Sequence, residues 1–375
     1  MKVRAILLAS AFASAGVAGA AISVEDAARM FPSVGRNADY EVAYPDAVSR
    51  RPQLRGVMLP PGRVTEEHFE ALQAWGATLC RYQMMPVGPE ADAVVRDRDR
   101  FAAWLDRKLE TLAGSVLPMA GRHGLSVIVD LHVPPGGRDK DMRLCHDEAW
   151  LDFFVDCWRK IATRLKGRPG IYGYDLINEP DQKGVASVAD YWEVQRRAAE
   201  AVRAIDPDTT ILVASNGWNK PSAFAYLAPL RMDNVIYQVH VYQPMEFTHQ
   251  GVLPKYMSCT NSYPDAAKGW NRDWIRKLLE PVRAFELKHK AKILVGEFSA
   301  VSWAEGSARY LEDCIAVFDE YGWDWTYHCF REWPGWDVEK ACTKGARTSH
   351  PEFGPAVEDS RLRALKAGLG RSSAP

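Results

Sequence analysis

Ile171-Tyr172-Gly173-Tyr174-Asp175-Leu176-Ile177-Asn178-Glu179-Pro180 is the stretch on which the fold turns. Residues 171–177 are mostly apolar and rich in strand-forming side chains, which reads as a β-strand covered on both faces. The run then stops abruptly on an amide, a carboxylate and a proline. A strand buried on both sides has no structural need to end in a charge. In parallel α/β folds, however, the carboxyl ends of the strands are where chemistry is built.

The same construction recurs in both directions along the chain. Strands are expected at 54–59, 78–82 and 126–132 upstream, and at 210–214, 235–242, 293–298 and 323–330 downstream. Stretches of helical period lie at 66–75, 99–123, 148–165, 188–205, 273–289 and 308–321, with a last helix over 359–367. The link near 223–230, between the fifth and sixth strands, is too short for a full helix. This alternation predicts an α/β fold, the (β/α)8 TIM barrel, as one catalytic domain over 51–370. Residues 21–50 carry no strong period and read as a lead-in segment. The open doubly wound sheet fits less well, because Pro60-Pro61-Gly62 follows the first strand where a glycine-rich phosphate turn would stand.

Bulk properties narrow the function. The chain has 375 residues, 47% hydrophobic and 25% charged, enough for one large core. A formal net charge of -1 gives no footprint for nucleic acid. Thirteen Trp and fourteen Tyr are the kind of flat, apolar surface on which sugar rings pack. At the N-terminus Lys2 and Arg4 precede an uncharged run over 5–17, then Ala18-Gly19-Ala20. That is the pattern of a signal peptide over 1–20, so a secreted or periplasmic monomer is expected, with no membrane partner. Of seven cysteines, Cys80, Cys157, Cys314 and Cys329 lie in apolar segments and read as buried thiols. Cys145, Cys259 and Cys342 sit in loop-like stretches and are the better placed for a bridge. No Cys/His spacing suggests zinc.

Polar residues gather at the strand ends: Arg81, His132, Asn178 with Glu179, His240 with Tyr242, and Glu297. Glu179 and Glu297 close strands four and seven, which face each other across a barrel mouth. Glycosidic cleavage needs two carboxyl groups in opposite roles, a proton donor and a nucleophile or base. Blander readings exist for each residue. His132 and His240 could be structural, Arg81 could pair with a carboxylate inside the barrel, and Tyr242 could be a core aromatic. At least half of Trp218, Trp303, Trp333 and Trp336 would then be packing residues. Two other classes compete: a metal enzyme ligated by His132, His240 and Glu297, and a barrel that only binds glycan.

Leu54-Arg55-Gly56-Val57, Arg81, Asp130-Leu131-His132, Asn178-Glu179-Pro180, His240-Val241-Tyr242 and Gly296-Glu297-Phe298 together resemble the retaining glycoside hydrolases of family 5, the cellulase-like branch, from about residue 54 to 336. The resemblance implies a secreted glycosidase acting on a β-linked glycan, endo-β-1,4-glucanase-like, by double displacement. Glu179 would be the acid/base and Glu297 the nucleophile, with Arg81 and Tyr242 beside Glu297. Asn178 would bind the sugar 2-hydroxyl, and His132 and His240 neighbouring hydroxyls. No metal or organic cofactor is implied. The same mechanism on β-mannan, xyloglucan or a glycolipid is the alternative, with loops 133–147 and 243–269 shaping the cleft. Retention calls for carboxyls roughly 5–5.5 Å apart. The chain departs from the family at the end of strand eight, where a tryptophan usually forms the sugar floor and this sequence has His328. The expectation here is that Trp333 supplies the platform while His328 donates to a sugar hydroxyl.

Overall fold

The computed structural model describes residues 23–137, 142–342 and 353–371; the expected signal peptide over 1–20 lies outside them. Strands β1 (Arg55–Leu59), β2 (Leu79–Gln83), β3 (Ser126–Asp130) and β4 (Ile171–Asp175) are followed by β5 (Ile211–Ala214), β6 (Val235–Val241), β7 (Lys292–Phe298) and β8 (Asp324–Tyr327). They pair in parallel in chain order, and β1 pairs with β8 to close the barrel. Each expected strand is found, with its ends displaced by no more than three residues from the expected bounds.

Alternation along each strand creates two cores. Leu54, Leu79, Ile128, Tyr172, Leu212, Ile236 and Leu294 point inward and plug the lower barrel. Their outward neighbours, such as Cys80, Val127, Val129, Val213 and Val295, pack under the helices. Because the side-chain period is two, stepping up from Leu79, Ile128 and Ile236 places Arg81, Asp130 and Gln238 just above the plug. A register shift between Val239 and His240 brings His240 level with Glu297. Polar chemistry therefore sits on an apolar floor.

The helices start where side chains can satisfy their first amides. Asp147 accepts from Ala149 and Trp150 ahead of Glu148–Leu165, and Asp190 accepts from Trp192 and Glu193 ahead of Tyr191–Ile205. The long helix expected over 99–123 runs as Arg98–Thr111, a π-turn at Leu112–Val116, and Leu117–Arg122. Between β5 and β6 lies only the short 3-10 turn Pro221–Tyr226, as the link length required.

Three features were not legible in advance. The lead-in is structured: helix Val24–Met30 is capped by Ser23, and Phe31 meets Tyr191 edge-on at 5.0 Å. Its continuation closes the barrel base, with Val42 N donating to His289 O and Tyr44 OH to Val235 O. A short antiparallel pair joins Lys340–Cys342 and Phe353–Ala356. No disulfide joins the described cysteines, and Cys145, expected in a loop and better placed for a bridge, is fully buried. Among the described residues no helix is long and apolar enough to cross a membrane.

Closing the barrel demands close approach of β1 to β2. A Cβ added at Gly56 would lie 1.7 Å from the Leu79 carbonyl oxygen, a backbone atom that cannot move aside. Gly56→Ala should therefore destabilise the fold by about 3 kcal/mol or more, read from chemical denaturation. Helical Gly121, with nothing within 4 Å of an added Cβ, is the control; Gly121→Ala should gain about 0.5–1 kcal/mol.

Candidate active site

Arg81 leaves β2 into the barrel interior, where it has no exposed surface. Its Nε and Nη2 donate to Asp175 Oδ2 at 2.9 and 2.8 Å, and its Nη2 also donates to Asn178 Oδ1 at 2.8 Å. Asp130 Oδ2 lies 3.2 Å from Nη2, and Nη1 donates to Glu297 Oε1 at 2.7 Å. One guanidinium thus holds carboxylates from β3, β4 and β7. Burial would drive its proton off, and the three carboxylates reverse that, so Arg81 stays charged. Asp175 bears the cost: burial pushes its carboxyl up to about 7, Arg81 opposing and Asp130 adding to the rise.

Glu297 is surrounded by donors. Tyr242 donates to Oε2 at 2.9 Å, His328 Nδ1 is 3.2 Å from Oε2, and His240 Nδ1 is 3.7 Å away. Burial raises the Glu297 carboxyl, but His240, His328 and Arg81 outweigh it and hold the group well below the usual carboxylate range. The same burial, with the Glu297 and Glu179 charges, pushes the Tyr242 hydroxyl well up, so it stays a donor.

Glu179 stands across the mouth with φ 49°, a left-handed conformation that costs a non-glycine residue about 1–2 kcal/mol. Trp218 (φ 66°) and Asn219 (φ 52°) share it. Trp218 N donates to Pro180 O, and His240 N donates to Asn219 O, so two strained turns brace one another. Glu179 Oε1 meets His240 Nδ1 at 2.7 Å. Ligand atoms of Glu179, His240 and Glu297 all lie within 4.8 Å of one another. His132 Nδ1 contacts Asp130 Oδ2 at 2.7 Å, and its Nε2 is 3.3 Å from Asn178 Nδ2.

The structure therefore gathers Arg81, His132, Asn178, Glu179, His240, Tyr242, Glu297 and His328 into one site. Trp333 does not join them as expected. It is 2% exposed, packed edge-on against Trp336 at 4.9 Å and against Trp303 at 6.1 Å. A stacking platform needs an open face, and a ring buried to this degree has none to offer. Nor does His328 donate freely into the cleft: its Nδ1 faces Tyr242 at 2.6 Å and its Nε2 faces Glu332 at 3.4 Å. Trp336, buried too, stacks on Tyr242 at 5.3 Å.

Sequence reading missed Asp175, Gln238, Gln83 and Glu332. Gln238 donates to both oxygens of Asp175, and Gln83 Nε2 donates to Glu332 Oε2 at 2.7 Å. The available signal was parity, since Gln83 and Gln238 are buried polar residues two positions from Arg81 and His240. The Glu179–His240–Glu297 group is compact enough for an ion. Yet Glu297 already gives Oε1 to a guanidinium and Oε2 to Tyr242 and His328, so another cation there would meet like charge.

The sequence profile described as Cellulase (glycosyl hydrolase family 5) matches residues 46–332. Endoglucanase C of Acetivibrio thermocellus is 26% identical over 299 residues, 70% of this chain and 84% of its own. Among solved structures, Thermotoga maritima Cel5A in complex with cellobiose superposes with a TM-score of 0.63 at 20% identity, over 84% of this chain and 97% of its own. The same protein in complex with mannotriose superposes with a TM-score of 0.63, likewise at 20% identity, over 84% and 97%.

Removing the central cation would strand buried carboxylates against one another. Arg81→Ala should cost about 3–5 kcal/mol in urea unfolding at neutral pH, with no substrate present. Asp175→Asn should cost less, because Asp130, Asn178 and Glu297 still surround the guanidinium.

Proposed function

This chain belongs to glycosyl hydrolase family 5 and is an O-glycosyl hydrolase, and we propose that it cleaves a β-linked glucan by double displacement, with Glu297 as nucleophile and Glu179 as acid/base. The observation that carries the assignment is the unequal treatment of two carboxylates whose oxygens approach within 4.8 Å. Glu297 is gripped by Arg81 and Tyr242, which suits a group that must stay ionised and fixed. Among the described residues Glu179 hydrogen-bonds His240 alone, and its side chain is 14% exposed against 5% for Glu297, which suits a group that exchanges protons with substrate and water. The short gap favours direct attack over an intervening water, the arrangement of retaining enzymes.

In the first step a Glu297 oxygen bonds the anomeric carbon while the glycosidic bond breaks and Glu179 protonates the departing oxygen. Water then attacks the same carbon, Glu179 takes its proton, and the bond to Glu297 breaks with its electron pair returning to the carboxylate. Asn178, held by Arg81, and His132, held by Asp130, present polar atoms where the sugar hydroxyls would lie. β-1,4-Glucan is the first substrate to try, since the relative from A. thermocellus is an endoglucanase. β-Mannan is the second, because T. maritima Cel5A has been captured with mannotriose as well as cellobiose. Reading 1–20 as an export signal puts this activity outside the cytoplasm.

Two variants separate the roles. Glu297→Ala should lose turnover of every substrate. Glu179→Ala should keep much of its first-step rate on dinitrophenyl β-cellobioside, whose leaving group needs no proton, and added azide should accelerate it. Equal azide responses in both variants, or wild-type rate in Glu297→Ala, would reverse the assignment. Products from β-glucan and β-mannan resolved by size identify the substrate.

A further inference from the structure

His328 stands where the family resemblance calls for an aromatic floor, and its surroundings are those of a buried ion. On one side, Nδ1 faces Tyr242 Oη at 2.6 Å and Glu297 Oε2 at 3.2 Å. Tyr242 spends its single proton on Glu297, so toward His328 its oxygen is an acceptor. On the other side, Nε2 faces Glu332 Oε2 at 3.4 Å, and Glu332 is itself fixed by Gln83. Nδ1 therefore faces an acceptor, while Nε2 lies at ion-pair distance from a carboxylate without hydrogen-bonding it, and only a ring protonated on both nitrogens sets a positive charge between the two acids. The remaining neighbours do not compete for this charge. Trp336 lies 4.9 Å from the ring, His249 is held neutral by burial and by His328 itself, down to about 3, and burial raises the Cys329 thiol. Arg81 and His240 reach the same Glu297 from its other sides. Burial would pull His328 down, yet Glu297 and Glu332 hold it up to about 10.

We infer that His328 is a positioning residue: a permanent second cation on Glu297, held in place by Glu332, that makes this carboxylate a better leaving group and so speeds release of the sugar from the covalent intermediate. The inference rests on the double-displacement reading. Attack by Glu297 spends negative charge beside a guanidinium and an imidazolium, which slows formation of the ester. Its breakdown restores that charge in the same field. Water bonds the anomeric carbon, the carbon–Glu297 bond breaks, its electron pair returns to Glu297, and Glu179 takes the proton from water. A second fixed cation thus shifts the balance between the two steps toward breakdown.

The test measures the steps separately. 2,4-Dinitrophenyl 2-deoxy-2-fluoro-β-cellobioside should label Glu297 in the wild-type enzyme, seen by peptide mass; absence of labelling there would defeat the double-displacement reading itself. In His328→Gln and His328→Phe, reactivation of the labelled enzyme should slow roughly tenfold while labelling at a pH above the acid limb is not slowed, and the acid limb of kcat/KM should move up by about one pH unit. An equal loss in both steps, or an unmoved acid limb, would reduce His328 to a packing residue. Should neither variant fold, nitrogen NMR of the wild-type imidazoles decides. A ring doubly protonated from neutral pH to pH 8 supports the inference, and a neutral ring overturns it.

Discussion

The interaction on which the site depends is Arg81 among Asp130, Asp175 and Glu297 inside the barrel. An isolated ion at this depth would be prohibitively costly, and three acids without their cation would be worse. Each needs the others, so strands β2, β3, β4 and β7 are tied at one level by charge as well as by their ladders. The grouping also sets the state of the functional carboxylate. Glu297 is ionised because the barrel has already placed cations around it, and no reorganisation is required when substrate arrives.

Much of this was readable in the sequence, for physical reasons. Parallel strands covered on both faces become continuous apolar runs, so polar residues at their ends stand out. That contrast located Arg81, Asn178, Glu179, His240 and Glu297. It failed where the polar residue lies within the strand. Asp175 and Gln238 look like interruptions of a hydrophobic run, and only the inward parity shared with Arg81 explains them. The lead-in over 21–50 was unreadable for the opposite reason: its short helix and turn are stabilised by distant partners such as Tyr191, Val235 and His289. Local pattern carries no trace of such contacts.

The end of β8 shows a different limit. His328 aligns with the usual tryptophan of the family, and Trp333 is the aromatic that the neighbouring sequence offers in its place. Aromatic content does not reveal which ring faces solvent. Trp303, Trp333 and Trp336 pack on one another and on Tyr242, so what this wall turns toward Glu297 is the Tyr242 hydroxyl and His328, the latter backed by Glu332 and Gln83. One substitution in sequence thus stands for a change in the character of one wall.

The C-terminal helix Ser360–Leu369 brings Arg361 under the same wall, where it donates to Ala300 O, Trp336 O, Asp337 O and Tyr327 Oη. These acceptors belong to β8 and to the loops after β7 and β8, and β8 is also the strand that must find β1 to close the barrel, through pairs such as Val57 with Tyr327. Closure therefore waits until all eight strands and the helix Ser360–Leu369 have been made. During synthesis the first seven strands emerge with an open edge on β1 and a charged interior still exposed to water. The barrel thus reaches its final shape late and almost at once, and the residues that finish it leave the ribosome only after the seven other strands.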